Sequence, residues 1–414
     1  MHIPMKAFPI NKKYFTPTVI VLTILLLNGL VFAFFRFVLG IGAVTNLNNQ
    51  YPWGIWIGID VAAGVALAAG GFTSAALVYI FNKKEFHDLA KPALLTAMLG
   101  YTFVALGVFF DLGRYYYIYH PLYMWNGSSV LFEVGICVMA YMATLYIEFI
   151  PVVAERFIGK VNLKGFLSIF NKIIDKLLRL LDRIMDKILF FFIILGVVLS
   201  CLHQSSIGTL MMIAGDKVHP LWQSPIAPLM YLLSAIAVGF PMIIMESTIS
   251  SKSFNLKPET PILAKLGRFV GPLLGIYLAA KLADMAIRET FVYLNEFSLV
   301  SVMWIIEVVV GVIIPLRMFL SDKVLKSPTW IFVASNLVIF GVFINRFNNF
   351  VIAYSPMYAD KAYFPSIGEI SVTVGFISLE ILLYRLFVMI FPVISQPIKS
   401  TTAKTRIALK GVIK

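Results

Sequence analysis

Residues 188–213 read ILFFFIILGVVLSCLHQSSIGTLMMI. The run is apolar except for Ser200, the stretch His203 to Ser206 and Thr209. A hydrocarbon core about 30 Å thick is crossed by roughly 20 such residues in a helix. Nine further runs of this kind occupy 17–39, 55–81, 91–112, 129–152, 226–247, 262–286, 299–320, 329–346 and 366–392. The ninth of the ten is short and is expected to run steeply. A chain of 414 residues that is 60% hydrophobic and 13% charged is no soluble globule, in which charged residues make up about a quarter. The reading is an all-α polytopic membrane protein of about ten transmembrane helices, a single integral membrane domain over 1–414.

The net charge of +13 is topological. Lys6, Lys12 and Lys13, then Lys83 and Lys84, the basic residues from Arg156 to Lys187 and those from Lys399 to Lys414 all fall on one side of a ten-span chain. The other side holds few, among them Arg114, Lys217, Arg288 and Lys361. An excess of Lys and Arg marks the cytoplasmic side, so both termini are expected there, with 393–414 as a basic cytoplasmic tail. No nucleic-acid module is present. Span one is longer than the core of a signal peptide and reads as a retained helix. Cys137 and Cys201 lie inside spans and are too few for a zinc or iron–sulfur site, so any metal cluster is expected to belong to a partner.

Between spans four and five lies a long segment, 153–187. Phe166, Phe170, Ile173, Ile174, Leu177, Leu181, Ile184 and Ile188 recur at three- and four-residue intervals, with Lys172, Asp175, Lys176, Arg179, Asp182, Arg183 and Asp186 opposite. That period describes an amphipathic helix lying on the inner membrane surface and running into span five, with a docking surface as the alternative.

Ionisable side chains in hydrocarbon are costly unless they face protein, a partner or water. Asp60, Asp111, Arg114, Glu133 and His203, from four helices, fall in the outer third of their spans. Five at one level suggest a site. Asp111 with Arg114 also fits a structural ion pair, which Asp60 would join, and His203 also fits a packing role. Toward the inner side, Glu148 and Glu246, with Ser205 and Ser206, fit a proton path, or else two solvated acids at headgroup depth. Glu307, Glu380 and Arg385 read as structural partners, and Asp284 is undecided. Of the five histidines only His203 lies within a span, whereas a transmembrane haem b wants two axial imidazoles; a His–Met pair stays open. No dinucleotide fingerprint, P-loop, zinc-protease motif or nucleophile elbow is present.

Several stretches together resemble the NrfD/polysulfide-reductase membrane subunit family, especially its HybB-like branch. They are Tyr51-Pro52-Trp53-Gly54 leading to Asp60, Phe110-Asp111-Leu112-Gly113-Arg114, Ser129 to Glu133, Leu202-His203-Gln204-Ser205-Ser206, His219 to Pro225, and Glu246. The resemblance runs from about 50 to 250 and weakens beyond. It implies two four-helix bundles, 55–213 holding the quinone site and 226–346, flanked by spans one and ten. It also implies a multi-pass subunit of a bacterial cytoplasmic membrane that carries no haem or metal. Such a subunit passes electrons between the quinone pool, menaquinone or ubiquinone, and an iron–sulfur or cytochrome partner on the periplasmic side, itself joined to a catalytic oxidoreductase subunit, a hydrogenase by preference. The redox chemistry is shared with those partners.

Quinone reduction takes two electrons and two protons, so its site must offer hydrogen bonds and exchangeable protons. Glu133, His203 and Asp60 are the candidate catalytic groups. Tyr101, Arg114, Gln204 and Trp53 complete the binding set, and Trp56 and Trp125 are further candidate walls. Two other classes are weighed against this one. A secondary transporter should show broken helices in matched halves, and a b-type cytochrome anchor needs more axial ligands.

Overall fold

The computed structural model describes residues 5–256, 260–359 and 361–397. Ten helices are long and apolar enough to cross a membrane: α1 Pro17–Leu39, α2 Trp56–Ile80, α3 Lys84–Asp111, α4 Val130–Phe157, α5 Gly165–Lys217, α6 Ala227–Phe254, α7 Thr260–Ile287, α8 Leu299–Phe319, α9 Pro328–Ile352 and α10 Ile367–Ile390. The protein is a helical multi-pass membrane protein. Its ends meet on one face, where strand β1, Met5–Ala7, pairs antiparallel with β2, Ser395–Pro397. The expected tail beyond residue 397 and His2 lie outside the described residues.

Helices α2, α3, α4 and α5 pack on one another in one group, and α6, α7, α8 and α9 in a second. The groups meet where α2 and α5 lie against α6 and where α2 lies against α9. Helix α1 packs along α10, and α10 leans on α2 and α3. Two crossings depend on glycine. A Cβ on Gly29 of α1 would stand 2.9 Å from the Gly375 Cα of α10, and one on Gly311 of α8 would stand 2.3 Å from the Gly341 Cα of α9. Small residues let membrane helices approach this closely, where dispersion replaces the hydrophobic effect as the main attraction.

Two expectations are corrected. The ninth span is not short, for α9 continues past Asn345 and Arg346 and ends in a widened π-helical turn, Asn348–Ile352. Its polar residues are buried against other helices instead of marking the membrane exit. Nor does the amphipathic segment lie flat on the membrane. Asn171–Ala214 is one unbroken helix of 44 residues, about 66 Å at 1.5 Å per residue and so roughly twice the core thickness. Its first turns project past the apolar run, held by the loop after α4, where the Gly159 amide donates to Asp175 (2.6 Å) and the Leu163 amide to Asn171 (2.8 Å).

Candidate functional site

Helix α2 opens with eight residues of π-helix, Trp56–Ala63, and Asp60 sits within them. Such widened turns frequently accompany functional sites. The turn is pinned from outside by the Trp56 indole, which donates to the Glu369 carbonyl (3.2 Å), while Glu369 caps the start of α10 and accepts from Tyr363. Asp60 is buried and accepts a hydrogen bond from Thr373 of α10 (2.8 Å). It packs against Gly107 of α3, where a Cβ would come within 3.0 Å of its own.

Asp60 opens onto a cavity of about 420 Å³ enclosed by α2, α3, α6, α9 and α10, with apolar walls that include Leu99, Phe103, Met242, Phe343 and Phe376. Glu380 of α10 faces the same space beside Gly100. At the far end Glu246 of α6 accepts from Thr96 (2.7 Å) and from Tyr384 (2.6 Å). From Thr373 to Tyr384 is about 16 Å along α10 at the helical rise. The space therefore suits a flat, largely apolar molecule of ligand size, with carboxyl groups at both ends and one between them.

Other predicted residues lie elsewhere. His203 of α5 is fully buried, with Nδ1 3.2 Å from the Tyr101 hydroxyl, and Tyr101 meets Tyr141 edge to face. Gln204 beside it donates to the Val65 carbonyl (2.8 Å). The His203 Nε2 and Gln204 Oε1 have no hydrogen-bond partner among the described residues. Glu133 is exposed in the first turn of α4 and accepts from Ser206 (2.5 Å). Glu148 sits in the α2–α5 group against Gly196, next to a small cavity that Tyr79 and Lys91 also line. The Ser205 carbonyl accepts from Thr209 (3.1 Å).

The single level expected for five residues is thus not kept. Tyr101, the partner of His203, lies six residues below Gly107, the neighbour of Asp60, a difference of about 9 Å in depth. Arg114 is exposed in the loop after α3 and forms no ion pair with Asp111. The buried Arg36 of α1 instead reaches the end of α3, donating to the carbonyls of Phe110 (2.8 Å) and Leu112 (2.5 Å), and Asp111 Oδ1 has no hydrogen-bond partner among the described residues. Trp125 is 78% exposed and walls nothing, while Trp53 packs against Phe350 and Tyr354. Glu148 and Glu246 line different spaces.

The second helix group holds a buried charged network that the sequence reading missed. Lys281 of α7 pairs with Glu307 of α8, and both are nearly inaccessible. Glu307 also accepts from Trp222 (2.7 Å), Asn345 (2.8 Å) and Asn348 (2.9 Å). Arg346 lies over the Tyr231 ring and donates to Ser234 (2.8 Å). Asp284 is taken by Arg288 (2.6 Å). Glu307 is therefore paired with Lys281 and not with Arg385, which instead ties Lys13, Tyr14 and Ser253 together.

Ten apolar helices of membrane-crossing length, five of which line a cavity bearing carboxyl groups, define an integral membrane protein. The chain belongs to the NrfD (polysulphide reductase) family, whose profile matches residues 43–355. It is 32% identical to the probable Ni/Fe-hydrogenase 2 b-type cytochrome subunit of Escherichia coli, over 93% of this chain and 92% of that one. It is 24% identical to the integral membrane subunit of the menaquinone reductase of Nitratidesulfovibrio vulgaris, over 86% of each. To a selenate reductase subunit of Mesobacillus selenatarsenatis the identity is 23%, over 94% of this chain and 95% of that one. The chain is thus a membrane subunit of the kind found in quinone-linked oxidoreductase complexes.

Proposed function

We propose that this subunit carries electrons between an extrinsic redox partner and the quinone pool, with the quinone ring in the cavity between the two helix groups and one of its oxygens at Asp60. The carrying observation is that one apolar space collects Asp60, Glu380 and Glu246 from three helices. Asp60, held by Thr373, would hydrogen-bond the ring and exchange its protons, while Glu380 and Glu246 with Tyr384 would lead protons from the other end of the cavity. Water exclusion by the aromatic and aliphatic walls strengthens each of these interactions. The partner would dock on the face read as outer from the charge distribution, where the loop between α3 and α4 exposes Tyr116, Tyr119, Tyr123 and Trp125, residue types favoured at protein interfaces. The names of the relatives, from hydrogenase, menaquinone reductase and selenate reductase complexes, support a catalytic subunit beyond it.

The residues do not fit a bis-histidine haem, in spite of the b-type cytochrome name of one relative. Among the described residues His203 is the only imidazole buried within a span, and its Nδ1 faces Tyr101. A haem-free quinone subunit is the reading we adopt.

One observation favours a second location. The unpartnered Nε2 of His203 and Oε1 of Gln204 are both buried, and they would offer a donor to a quinone carbonyl and an acceptor to a quinol hydroxyl respectively. Two substitutions separate the readings. Asp60→Asn keeps an acceptor for Thr373 but removes the titratable proton, and is expected to lower quinone-linked turnover at least tenfold, about 1.4 kcal/mol in barrier, with dye-linked activity of the assembled complex unchanged. Undiminished turnover in Asp60→Asn, together with its loss in His203→Gln, would move the ring to the α2–α5 group.

A further inference from the structure

The projecting part of α5 has two apolar stripes. Ile174, Leu178, Leu181 and Met185 turn inward and are half-buried or buried. Ile173, Leu177, Leu180, Ile184 and Ile188 stay exposed, at 60%, 51%, 50%, 42% and 37%. Their intervals of four, three, four and four residues are those by which one helix seats along another. Each is preceded by an exposed basic residue: Lys172, Lys176, Arg179, Arg183 and Lys187. A basic stripe therefore runs beside the apolar one. Of the acids on this segment, Asp175 is half-buried and held by Gly159 and Arg179, and Asp182 is half-buried, which leaves Asp186 exposed.

Lipid cannot cover this face. The same face continues through Phe191, Val198 and Leu202 into the apolar run, where acyl chains meet it. Residues 173–187 stand before that run on an unbroken helix, about 22 Å of it, and a helix continuous with a membrane span cannot also lie along the membrane surface. A second copy fits poorly too, because the same segment offers Asp186 as its one exposed acid to face a basic stripe.

We infer that the α5 extension docks an amphipathic helix of another membrane subunit, one that runs beside α5 in the bilayer and continues past it with an apolar seam flanked by Asp and Glu. This contact is on the face where the chain ends meet, opposite the outer loops, and is independent of where the quinone binds.

The test uses the whole complex purified from membranes, with a photo-reactive amino acid in place of Leu177 and, as a control, of Ile174. The expected result is an adduct from position 177 to a second polypeptide, on a peptide that is apolar with acidic flanks, at least tenfold above the adduct from position 174. Lys176→Glu with Arg183→Glu should lower the yield at least tenfold while the amount of chain in the membrane holds. Should that variant fail to accumulate, the wild-type adduct must fall as ionic strength rises from about 0.01 to about 1 M, where the screening length shrinks from about 30 to about 3 Å. Adducts to phospholipid only, to another copy of this chain, or to a peptide without acidic flanks overturn the inference, as does a yield indifferent to charge and salt.

Discussion

Replacing Glu307 should cost more than replacing Lys281, although the two form one ion pair. Glu307 is 1% exposed and accepts from Lys281, Trp222, Asn345 and Asn348, whereas Lys281 has Glu307 as its one hydrogen-bonded carboxylate. Glu307→Met strands a buried ammonium close to a second buried cation, Arg346, and leaves three neutral donors without their acceptor. Removing one member of a buried pair in this way costs about 3–5 kcal/mol. Lys281→Met leaves a carboxylate still receiving three hydrogen bonds, and bonds to a charged acceptor contribute about 1.5–3 kcal/mol each, so its cost should be about half as large. The double substitution removes both charges and should cost less than the sum of the singles by at least about 1 kcal/mol. The assay is equilibrium unfolding of the purified chain in mixed micelles, or the half-life at a fixed elevated temperature where unfolding is irreversible. Equal costs for the two single substitutions, or strict additivity in the double, would refute the reasoning, since either result means that the carboxylate is not the centre of the network.

Glu246→Gln keeps one acceptor oxygen and puts an amide N–H in place of the other, toward the Thr96 and Tyr384 hydroxyls, which accept as well as donate, so quinone affinity and partner docking should hold. Quinone reduction should slow, and turnover should lose its link to membrane potential when followed with a potential-sensitive dye in vesicles; equal potential at matched turnover would exclude Glu246 from the path. A reduced-minus-oxidised spectrum of the isolated subunit should lack a b-type band, and a stoichiometric band would defeat the haem-free reading. In the loop between α5 and α6, burial holds His219 below its ordinary value of 6.5, with Glu296 pulling the other way. A histidine whose folded pKa is depressed gives stability that is present above the unfolded value and lost as pH falls through the folded one. Thermal stability should therefore decline below about pH 6.5, and His219→Asn should flatten that decline; an unchanged slope would assign it to another group.

The ten helices were legible because twenty apolar residues in a row announce a span locally, whatever packs on them. What hydropathy fixes is depth along a helix, and it says nothing about azimuth. Asp60 and Glu246 were singled out by their cost in hydrocarbon, yet only the crossing of α2, α6 and α10 puts them on one cavity while His203 turns to Tyr101. Arg114 looked like the partner of Asp111 because it is three residues away, but it follows the end of α3, and Arg36 reaches the site from a helix that sequence proximity cannot link to it. At α9 the same limit shortened a span. Asn345, Arg346 and Asn348 read as a membrane exit in any local window, and they are buried because Glu307, Tyr231 and Ser234 supply what water would have supplied. The α5 extension shows the converse case. Its period is the same whether the helix lies on lipid or stands away from it, and the unbroken hydrogen bonding into the span is what decides. The polar groups misread along the sequence are those whose partners come from distant helices, and because an unmet charge in hydrocarbon is so costly, each such misreading marks a helix contact that the fold must contain.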